Sequence, residues 1–218
     1  MNEWKSVWSK RSADMDILKK EDEKKVFLEL KRSNGFDVQE EGPAYEAWVE
    51  QYRQIKRELE FNKNRDGGSI KSVYEVGCGS GANLYLFEKD GSETGGADYS
   101  GQLIESARRA LASTDLICEE AVRISIAPMY DAVLSNSVFS YFEDEEYALA
   151  VLEKMCRKAR HSIGIIDICD REKKEECIAY RKKSIEDYEG RYRNLPKLFY
   201  SKQIFLEIAS KHNMDIKF

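Results

Sequence analysis

Three glycines at alternating positions, preceded by an acid, form the stretch of this chain that most clearly indicates a ligand-binding site. They are Glu75, Gly77, Gly79 and Gly81, within the string Glu-Val-Gly-Cys-Gly-Ser-Gly. Because glycine has no Cβ atom, the backbone of such a loop can approach a ligand closely. The apolar residues 73–76 predict a strand before the loop, and the following pattern predicts a helix whose free N–H groups would face the ligand. Strand, loop and helix together predict a nucleotide-binding unit.

The spacing of these glycines leaves two classes of nucleotide ligand open. Residues 77–82 also fit the fingerprint G-x-G-x-x-G/A of dinucleotide-binding loops, and Asp98 stands about 20 residues further on, where such loops have a ribose-binding acid. Glu75 argues against a dinucleotide, because a carboxylate beside the loop would repel a pyrophosphate. An ordinary glycine turn without a ligand is a third possibility, which the combination of strand, acid and glycines disfavours.

The string Glu-Val-Gly-Cys-Gly-Ser-Gly resembles the first motif of class I S-adenosylmethionine-dependent methyltransferases, which commonly reads acidic-x-Gly-x-Gly-x-Gly. The resemblance implies S-adenosylmethionine as the cofactor and S-adenosylhomocysteine as its product. It also implies that the acid orients the loop and the cationic cofactor, whose methionine and ribose parts lie against the loop backbone. The cofactor-binding residues implied at this loop are Glu75, Gly77, Cys78, Gly79 and Asn83.

Later positions complete the cofactor site that the resemblance implies. Asp98 ends the predicted second strand, where an acid can accept hydrogen bonds from both ribose hydroxyls, and Tyr99 can lie against the adenine face. Related methyltransferases have an acid-alanine pair after the third strand that meets the adenine edge, and Glu120-Ala121 matches it. The alternative interpretation is that Glu119 and Glu120 are simply two solvated glutamates. Asn136, at the end of the fourth strand, is the last expected cofactor contact.

The exit of the fourth strand supplies the residues expected near the transferred methyl group. Residues 131–134 resemble the fourth-strand motif of the family, and the polar residues that follow lie at the carboxyl edge of the sheet, where ligands of open α/β sheets bind. Asn136, Ser137 and Tyr141 are expected there, with Ser137 as a substrate contact. Because Asn136-Ser137-Val138 departs from Asn-Pro-Pro-Tyr, methylation of nucleic-acid amino groups is disfavoured.

The group that would remove a proton from the methyl acceptor is less sharply defined. The methyl group of the cofactor is already electrophilic, so alignment of an oxygen, nitrogen or carbon nucleophile can suffice. Tyr141 and Asp167 are the candidate catalytic residues, with water or no base as alternatives. Neither histidine, His161 or His212, falls in the fourth-strand motif.

A charged helical run, Arg171 to about Arg193, follows the fifth strand, where methyltransferases of this class often build a substrate cap. Arg181, Tyr188 and Tyr192 are candidate substrate contacts on this run. The alternative is a solvated charged helix with its tyrosines packed beneath. Tyr200, just before the next predicted helix, is a further candidate pocket residue.

The elements that must position these residues alternate between strand and helix. Predicted strands begin near residues 73, 93, 115, 131 and 161, and helical patterns separate them. The alternation predicts an α/β fold with a doubly wound, Rossmann-like parallel sheet between two helical layers, a three-layer α-β-α arrangement. The predicted elements before the sheet are a helix over 1–34 ending at Asn34-Gly35, a helix over about 44–61 starting after Gly42-Pro43, and a linker at Asp66-Gly67-Gly68.

One methyltransferase domain is expected over residues 1–218. Its parts are an N-terminal helical cover or lid (1–66), a cofactor-binding core (71–168) and a helical insertion after the fifth strand as substrate cap (170–199). Residues 214–218 predict a sixth strand, and no residues remain for the seventh, antiparallel strand of the family, so the last strand is expected to be missing. A shortened chain, a sheet closed differently and an edge supplied by another subunit remain open, the last making a homo-oligomer possible.

Composition narrows the class of partner. With 218 residues and 42% hydrophobic content, the chain suffices for one domain with a full core, and a net charge of −5 disfavours nucleic acid as a partner. No stretch has the apolar length of a membrane span or the core of a signal peptide. Five scattered cysteines and two histidines without metal-ligand spacing predict reduced thiols and no metal site. A cytoplasmic protein acting on a small molecule is therefore expected.

Three functions remain open at this point. The favoured one is a small-molecule methyltransferase dependent on S-adenosylmethionine. A non-catalytic binding protein with the same fold is the alternative, motivated by the missing strand and the undefined base. An NAD-dependent oxidoreductase is a further alternative, motivated by the spacing of the glycines and Asp98.

Overall fold

The computed structural model describes residues 3–36, 44–60 and 70–218. Its sheet has five parallel strands in the order β3-β2-β1-β4-β5. They are β1 (Ser72–Val76), β2 (Glu93–Asp98), β3 (Asp115–Cys118), β4 (Tyr130–Asn136) and β5 (Ala159–Ile166). The predicted doubly wound parallel sheet is confirmed. The chain changes direction across the sheet between β1 and β4, so a crevice is expected at their carboxyl ends.

Helices cover both faces of this sheet. They are α1 (Glu3–Trp8), α2 (Glu23–Ser33), α3 (Tyr45–Leu59), α4 (Ala82–Lys89), α5 (Gly101–Ala110), α6 (Glu145–Lys158), α7 (Lys174–Ser184), α8 (Tyr188–Tyr192) and α9 (Lys202–Lys211). Ser100 caps α5, because its Oγ accepts a hydrogen bond from the Leu103 N–H at 3.4 Å. Ser201 caps α9 in the same way through the Gln203 N–H.

The sheet separates two hydrophobic cores. Successive residues of a strand point to opposite faces, so Leu134 of β4 lies in the core beneath α2 to α5, whereas Val133 lies in the core beneath α6 and α9. Phe27 and Leu30 of α2 are fully buried in the first core. Burial of such a side chain contributes about 1.5–3 kcal/mol, so α2 is anchored directly above the glycine loop.

The N-terminal segment differs from the predicted single helix over 1–34. Two helices, α1 and α2, flank residues 9–22, which contain turns. Asp14 Oδ1 accepts from the Asp16 N–H at 2.8 Å, and Asp22 Oδ1 accepts from the Lys25 N–H at 3.1 Å as the cap of α2. Short acidic side chains that bind nearby backbone N–H groups compete with a continuous helix. The predicted end of the segment is confirmed, because Asn34 is the C-terminal cap of α2.

The C-terminal third departs from prediction at two places. The helical run after β5 breaks at Asp187, which has a left-handed φ of 49° and caps α8 through the Gly190 N–H. Residues 214–218 do not form the predicted sixth strand, because Asn213 takes a φ of 52° after α9 and the following residues pair with no strand of the described sheet. The predicted helix start at Gly42-Pro43 and the linker at Asp66-Gly67-Gly68 lie outside the described residues. Within the described ranges no helix is long and apolar enough to span a membrane.

Candidate functional site

A cavity of about 720 Å³ opens at the carboxyl ends of β1, β2 and β4. The helices α1 and α2 line one side of it, and the segment from α7 to Lys197 lines another. The predicted site residues that line it are Glu75, Gly77, Cys78, Gly79, Asn83, Asp98, Tyr99, Glu120, Ala121, Asn136, Ser137, Tyr141, Asp167, Arg181 and Tyr192. The fold thus brings most of the predicted cofactor and acceptor residues to one crevice.

The glycine loop leaves β1 with a backbone that only glycine adopts easily. Gly77 and Gly79 have φ values of 74° and 55°. A Cβ atom on Gly77 would collide with the side chain of Val138, and one on Gly79 would collide with Oδ1 of Asn34. The Gly77 and Cys78 N–H groups donate to the Ala97 carbonyl at 2.8 and 3.0 Å, so the loop is held against β2.

Asp98, at the end of β2, holds this loop and faces the cavity. Its Oδ2 accepts from the Gly79 N–H at 3.0 Å, and its Oδ1 accepts from the Ser100 N–H at 2.8 Å. Burial raises the pKa of Asp98 to about 6. Each carboxylate oxygen can accept a second hydrogen bond, so Asp98 can still receive two hydroxyl donors from a ligand.

Glu75, on β1, is a buried acid with an unused acceptor. Its side chain is 2% exposed, and its Oε1 accepts from Asn83 Nδ2 at 2.6 Å. In the part of the chain that the structure describes, Oε2 of Glu75 has no hydrogen-bond partner. Burial raises the pKa of Glu75, because the charged form loses its water. A cationic ligand group beside Oε2 would supply the missing partner and stabilise the carboxylate.

Lys31, on α2, completes this buried polar group and was not predicted from the sequence. It is 4% exposed, and its Nζ donates to Asn83 Oδ1 at 3.0 Å. The Nζ also lies 4.3 Å from the centroid of the Trp48 ring, as in a cation–π contact. Burial lowers the pKa of Lys31. The available sequence signal is its place four residues after Phe27, on the face of α2 that packs on the sheet.

A second unpredicted contact joins α2 to the glycine loop. Asn34 Oδ1 accepts from the Ser80 N–H at 2.8 Å, and the hydroxyls of Ser33 and Ser80 lie 2.8 Å apart. The cap of α2 therefore also fixes the loop. The sequence shows Asn34 as an ordinary helix end, and only the tertiary arrangement reveals its partner.

Helix α1 lies across the mouth of the cavity. Trp4 Nε1 donates to the Pro196 carbonyl at 2.7 Å, while Lys5 Nζ pairs with Glu120 Oε1 at 2.6 Å. The rings of Trp4 and Trp8 pack on Tyr141 at 4.6 and 5.4 Å. The helix thus connects the residues expected at the adenine with the segment expected at the substrate. This position agrees with the predicted lid, whose movement stays a prediction.

The candidate catalytic residues lie at the ends of β4 and β5. Ser137 Oγ donates to Asp167 Oδ2 at 2.6 Å, and both residues have left-handed φ values, 59° and 58°. Burial raises the pKa of Tyr141 above its ordinary value, so its phenol stays protonated at neutral pH and is able to donate a hydrogen bond. The roles of Tyr141 and Asp167 in proton transfer stay predictions.

Two predicted substrate contacts do not line the cavity. Tyr200 is 2% exposed in the core beneath α6 and α9, and its hydroxyl donates to the Phe139 carbonyl at 2.6 Å. Tyr188 packs on Tyr192 with ring centroids 5.0 Å apart. The position of Tyr200 before a helix indicated a site residue, but its apolar ring and single hydrogen bond serve the core instead.

Replacement of Tyr200 by phenylalanine is therefore expected to lower the free energy of unfolding by about 1 kcal/mol, the contribution of one buried hydrogen bond. The loss stays small because the Phe139 carbonyl also accepts from the Phe142 N–H at 3.3 Å. Urea denaturation measures the change. Ligand affinity should be unaltered, and a selective loss of ligand affinity with full stability would contradict the structural role.

Among the described residues, no group of three or more His, Cys, Asp or Glu side chains is arranged to hold a metal ion. All five cysteines are free thiols.

Residues 74–159 match a family model described as a methyltransferase domain. A peramine synthetase, ppzA, from Metarhizium majus (strain ARSEF 297) is 31% identical in an alignment that covers 43% of this chain and 4% of that protein. The match thus spans a small part of that much longer relative.

Solved structures share the fold at low sequence identity. Magnesium protoporphyrin IX methyltransferase from Synechocystis PCC 6803, with bound SAM, is 14% identical with a TM-score of 0.54, over 92% of this chain and 90% of that chain. The plantazolicin methyltransferase BpumL, in complex with a pentazolic desmethylPZN analog and SAH, is 16% identical with a TM-score of 0.58, over 97% and 79% of the two chains. Together with the sheet order, these likenesses show that the chain has the fold of these methyltransferases, and residues 74–159 are the part that matches the methyltransferase-domain model.

Proposed function

We propose that this protein is an S-adenosylmethionine-dependent methyltransferase that transfers a methyl group to an oxygen, nitrogen or carbon atom of a small molecule. The observation that carries the proposal is the pair of carboxylates on adjacent strands. Glu75 presents an unpartnered buried oxygen, and Asp98 presents acceptor sites at the tip of β2, on either side of one glycine loop. The pair fits a ligand with a cationic part and a ribose.

The polar groups that line the cavity fit this cofactor. Glu75 would hold its cationic part, and the backbone of Gly77 and Gly79 would lie against it. Asp98 would accept from the ribose hydroxyls, and Tyr99 would lie against the adenine. Glu120-Ala121 and Asn136, which line the same cavity, would complete the contacts.

When bound, S-adenosylmethionine supplies an electrophilic methyl group, so the chain has to bind, orient and shield the acceptor. The protonated phenol of Tyr141 could donate a hydrogen bond to the acceptor, and Ser137 and Asp167 form a hydrogen-bonded pair that lines the same cavity. Trp4 and Trp8 pack on Tyr141 and exclude water from that end of the cavity. Orientation of the nucleophile is the main contribution we assign to these residues.

Calorimetric titration with S-adenosylmethionine, S-adenosylhomocysteine and NADH tests the proposal. We expect micromolar binding of the first two and none of NADH, because Glu75 would attract a sulfonium and repel a pyrophosphate. Binding of NADH alone would favour the oxidoreductase. Binding of S-adenosylmethionine without turnover on any acceptor would favour the non-catalytic binding protein.

The class of methyl acceptor, the cellular location and the oligomeric state of the protein stay predictions. Small-molecule acceptors are proposed for it because a net charge of −5 disfavours nucleic acid as a partner. A cytoplasmic location agrees with the five free thiols. Self-association is an open expectation that size-exclusion chromatography can test.

A further inference from the structure

The charge of the side chains that line the cavity differs between its two ends. Toward the adenine region the lining is acidic, with Asp98, Glu119 and Glu120. Beyond Tyr141 the lining includes three cations, Arg181, Arg191 and Lys197, all from the segment that follows β5. The proposed cofactor occupies the first end, so the cationic end is left for the acceptor.

Among the described residues, two aromatic rings rather than a counter-ion contact the guanidinium of Arg181. Its guanidinium carbon lies 4.9 Å from the centroid of the Tyr192 ring and 5.6 Å from that of Tyr188. Its Nε is buried and, among the residues that the structure describes, has no hydrogen-bond partner. An unsatisfied buried donor is unfavourable, whereas an anionic acceptor beside it would form a charge-assisted hydrogen bond.

Lys197 places a second cation nearby. Its Nζ lies 4.8 Å from the centroid of the Tyr141 ring. Burial lowers the pKa of Lys197, and the positive charge of Arg181 lowers it further. Two neighbouring cations that disfavour each other would both be stabilised by an anion between them.

The acids in this part of the cavity leave room for such an anion. The negative charge of Asp167 raises the pKa of Lys197, and Oδ2 of Asp167 also accepts from Ser137 Oγ. Glu143 acts on Tyr147, which contacts Glu120 on the adenine side. The three cations that line this end, Arg181, Arg191 and Lys197, thus outnumber Asp167, the acid whose charge acts on Lys197.

Aromatic rings form the walls of the same end. Trp4 packs on Tyr141 at 4.6 Å and lies 6.1 Å from Tyr192, and Trp8 packs on Tyr141 at 5.4 Å. Such rings favour a flat, largely apolar ligand. Resting on the proposed function, we infer that the methyl acceptor is a planar aromatic or heteroaromatic molecule that carries a carboxylate, bound by Arg181 and Lys197.

Matched pairs of acids and amides test this inference without any turnover. Benzoate, 4-hydroxybenzoate and indole-3-carboxylate are each compared with the uncharged carboxamide, using protein saturated with S-adenosylhomocysteine. All three tryptophans of the chain line the cavity, so their fluorescence reports its occupancy. We expect at least one acid to bind about tenfold more tightly than its amide, the typical gain from a charge-assisted hydrogen bond.

Substitutions then identify the groups responsible. Arg181→Gln and Lys197→Met should each weaken binding of the acid about tenfold while leaving binding of the amide and of S-adenosylhomocysteine unchanged. Arg193→Gln is the matched control, because Arg193 is exposed and does not line the cavity. Equal affinity for acid and amide, or no acid binding to the loaded protein, would overturn the inference alone. Failure of S-adenosylhomocysteine to bind would overturn the proposed function, and the inference with it.

Discussion

Replacement of Asp98 by alanine is expected to weaken binding of S-adenosylmethionine by about 2 kcal/mol or more, which is about 30-fold in Kd. The proposed contact is bidentate and charge-assisted, and both hydroxyl donors of the ribose would lose their acceptor. The same carboxylate accepts from the Gly79 and Ser100 N–H groups, so the alanine variant also loosens the loop. The structure thus predicts a wider effect than loss of a ribose contact alone.

The asparagine variant separates these two contributions. Asp98→Asn keeps one oxygen acceptor and the shape of the side chain but loses the charge. Asp131→Asn is the matched control, since Asp131 also accepts from two backbone N–H groups, those of Lys71 and Ser72, but does not line the cavity. Calorimetry should show a loss of affinity for the Asp98 variant only. Equal affinities for wild type and both variants would refute the ribose assignment.

Protonation of Asp98 should have a similar effect. Because its pKa is raised to about 6, the wild-type carboxylate is ionised at pH 7.5 and largely protonated at pH 5. Affinity for the cofactor is therefore expected to fall as the pH falls through about 6, and the asparagine variant should lack this component.

The sequence predicts the strand and glycine loop of β1 well, because the residues that determine their structure are neighbours in the chain. The acid, the strand residues 73–76 and the glycines of the loop are contiguous, and their backbone geometry follows from the absence of side chains at Gly77 and Gly79. Asp98 is found by its fixed place after the second strand of a parallel sheet. The residues predicted for the cofactor accordingly all line the cavity, and their contacts with the cofactor stay predictions.

The rest of the site depends on contacts between distant residues that no local pattern encodes. Lys31 meets Asn83, and Trp4 meets the Pro196 carbonyl, through packing of the N-terminal helices over the sheet. Tyr200 is a residue that was predicted to line the pocket but lies in the core. Its position before a helix is compatible with either place. Residues 214–218 alternate apolar and polar side chains, as an edge strand would, yet no neighbouring strand of the described sheet pairs with them.

Replacement of Glu75 by glutamine is expected to separate ligand binding from stability. Glutamine has the shape of the acid and can keep an acceptor toward Asn83, but it cannot attract a cation. Loss of a charge-assisted contact costs about 1.5–3 kcal/mol, so the Kd for S-adenosylmethionine should rise about 10- to 100-fold. Calorimetry on the purified variant measures this change.

The stability of the same variant should be unchanged or increased. Burial raises the pKa of Glu75, which means that the fold without a ligand disfavours its charged form. Lys31 would lose a favourable charge interaction, but its pKa is already lowered by burial and the amine can release its proton. Thermal and urea denaturation of the variant without ligand test this expectation. Loss of stability together with loss of affinity would instead make Glu75 a structural residue.

Glu29→Gln is the control for Glu75→Gln. Glu29 is also a buried glutamate, but Arg32 pairs with it at 2.6 Å and the Asp14 N–H donates to it. Its pKa is lowered by these hydrogen bonds despite its burial, so the fold favours its charged form. This substitution should reduce stability and leave cofactor affinity unchanged. If the Glu75 variant loses affinity but not stability, and the Glu29 variant loses stability but not affinity, Glu75 is an acid that the protein retains for its ligand at the expense of stability.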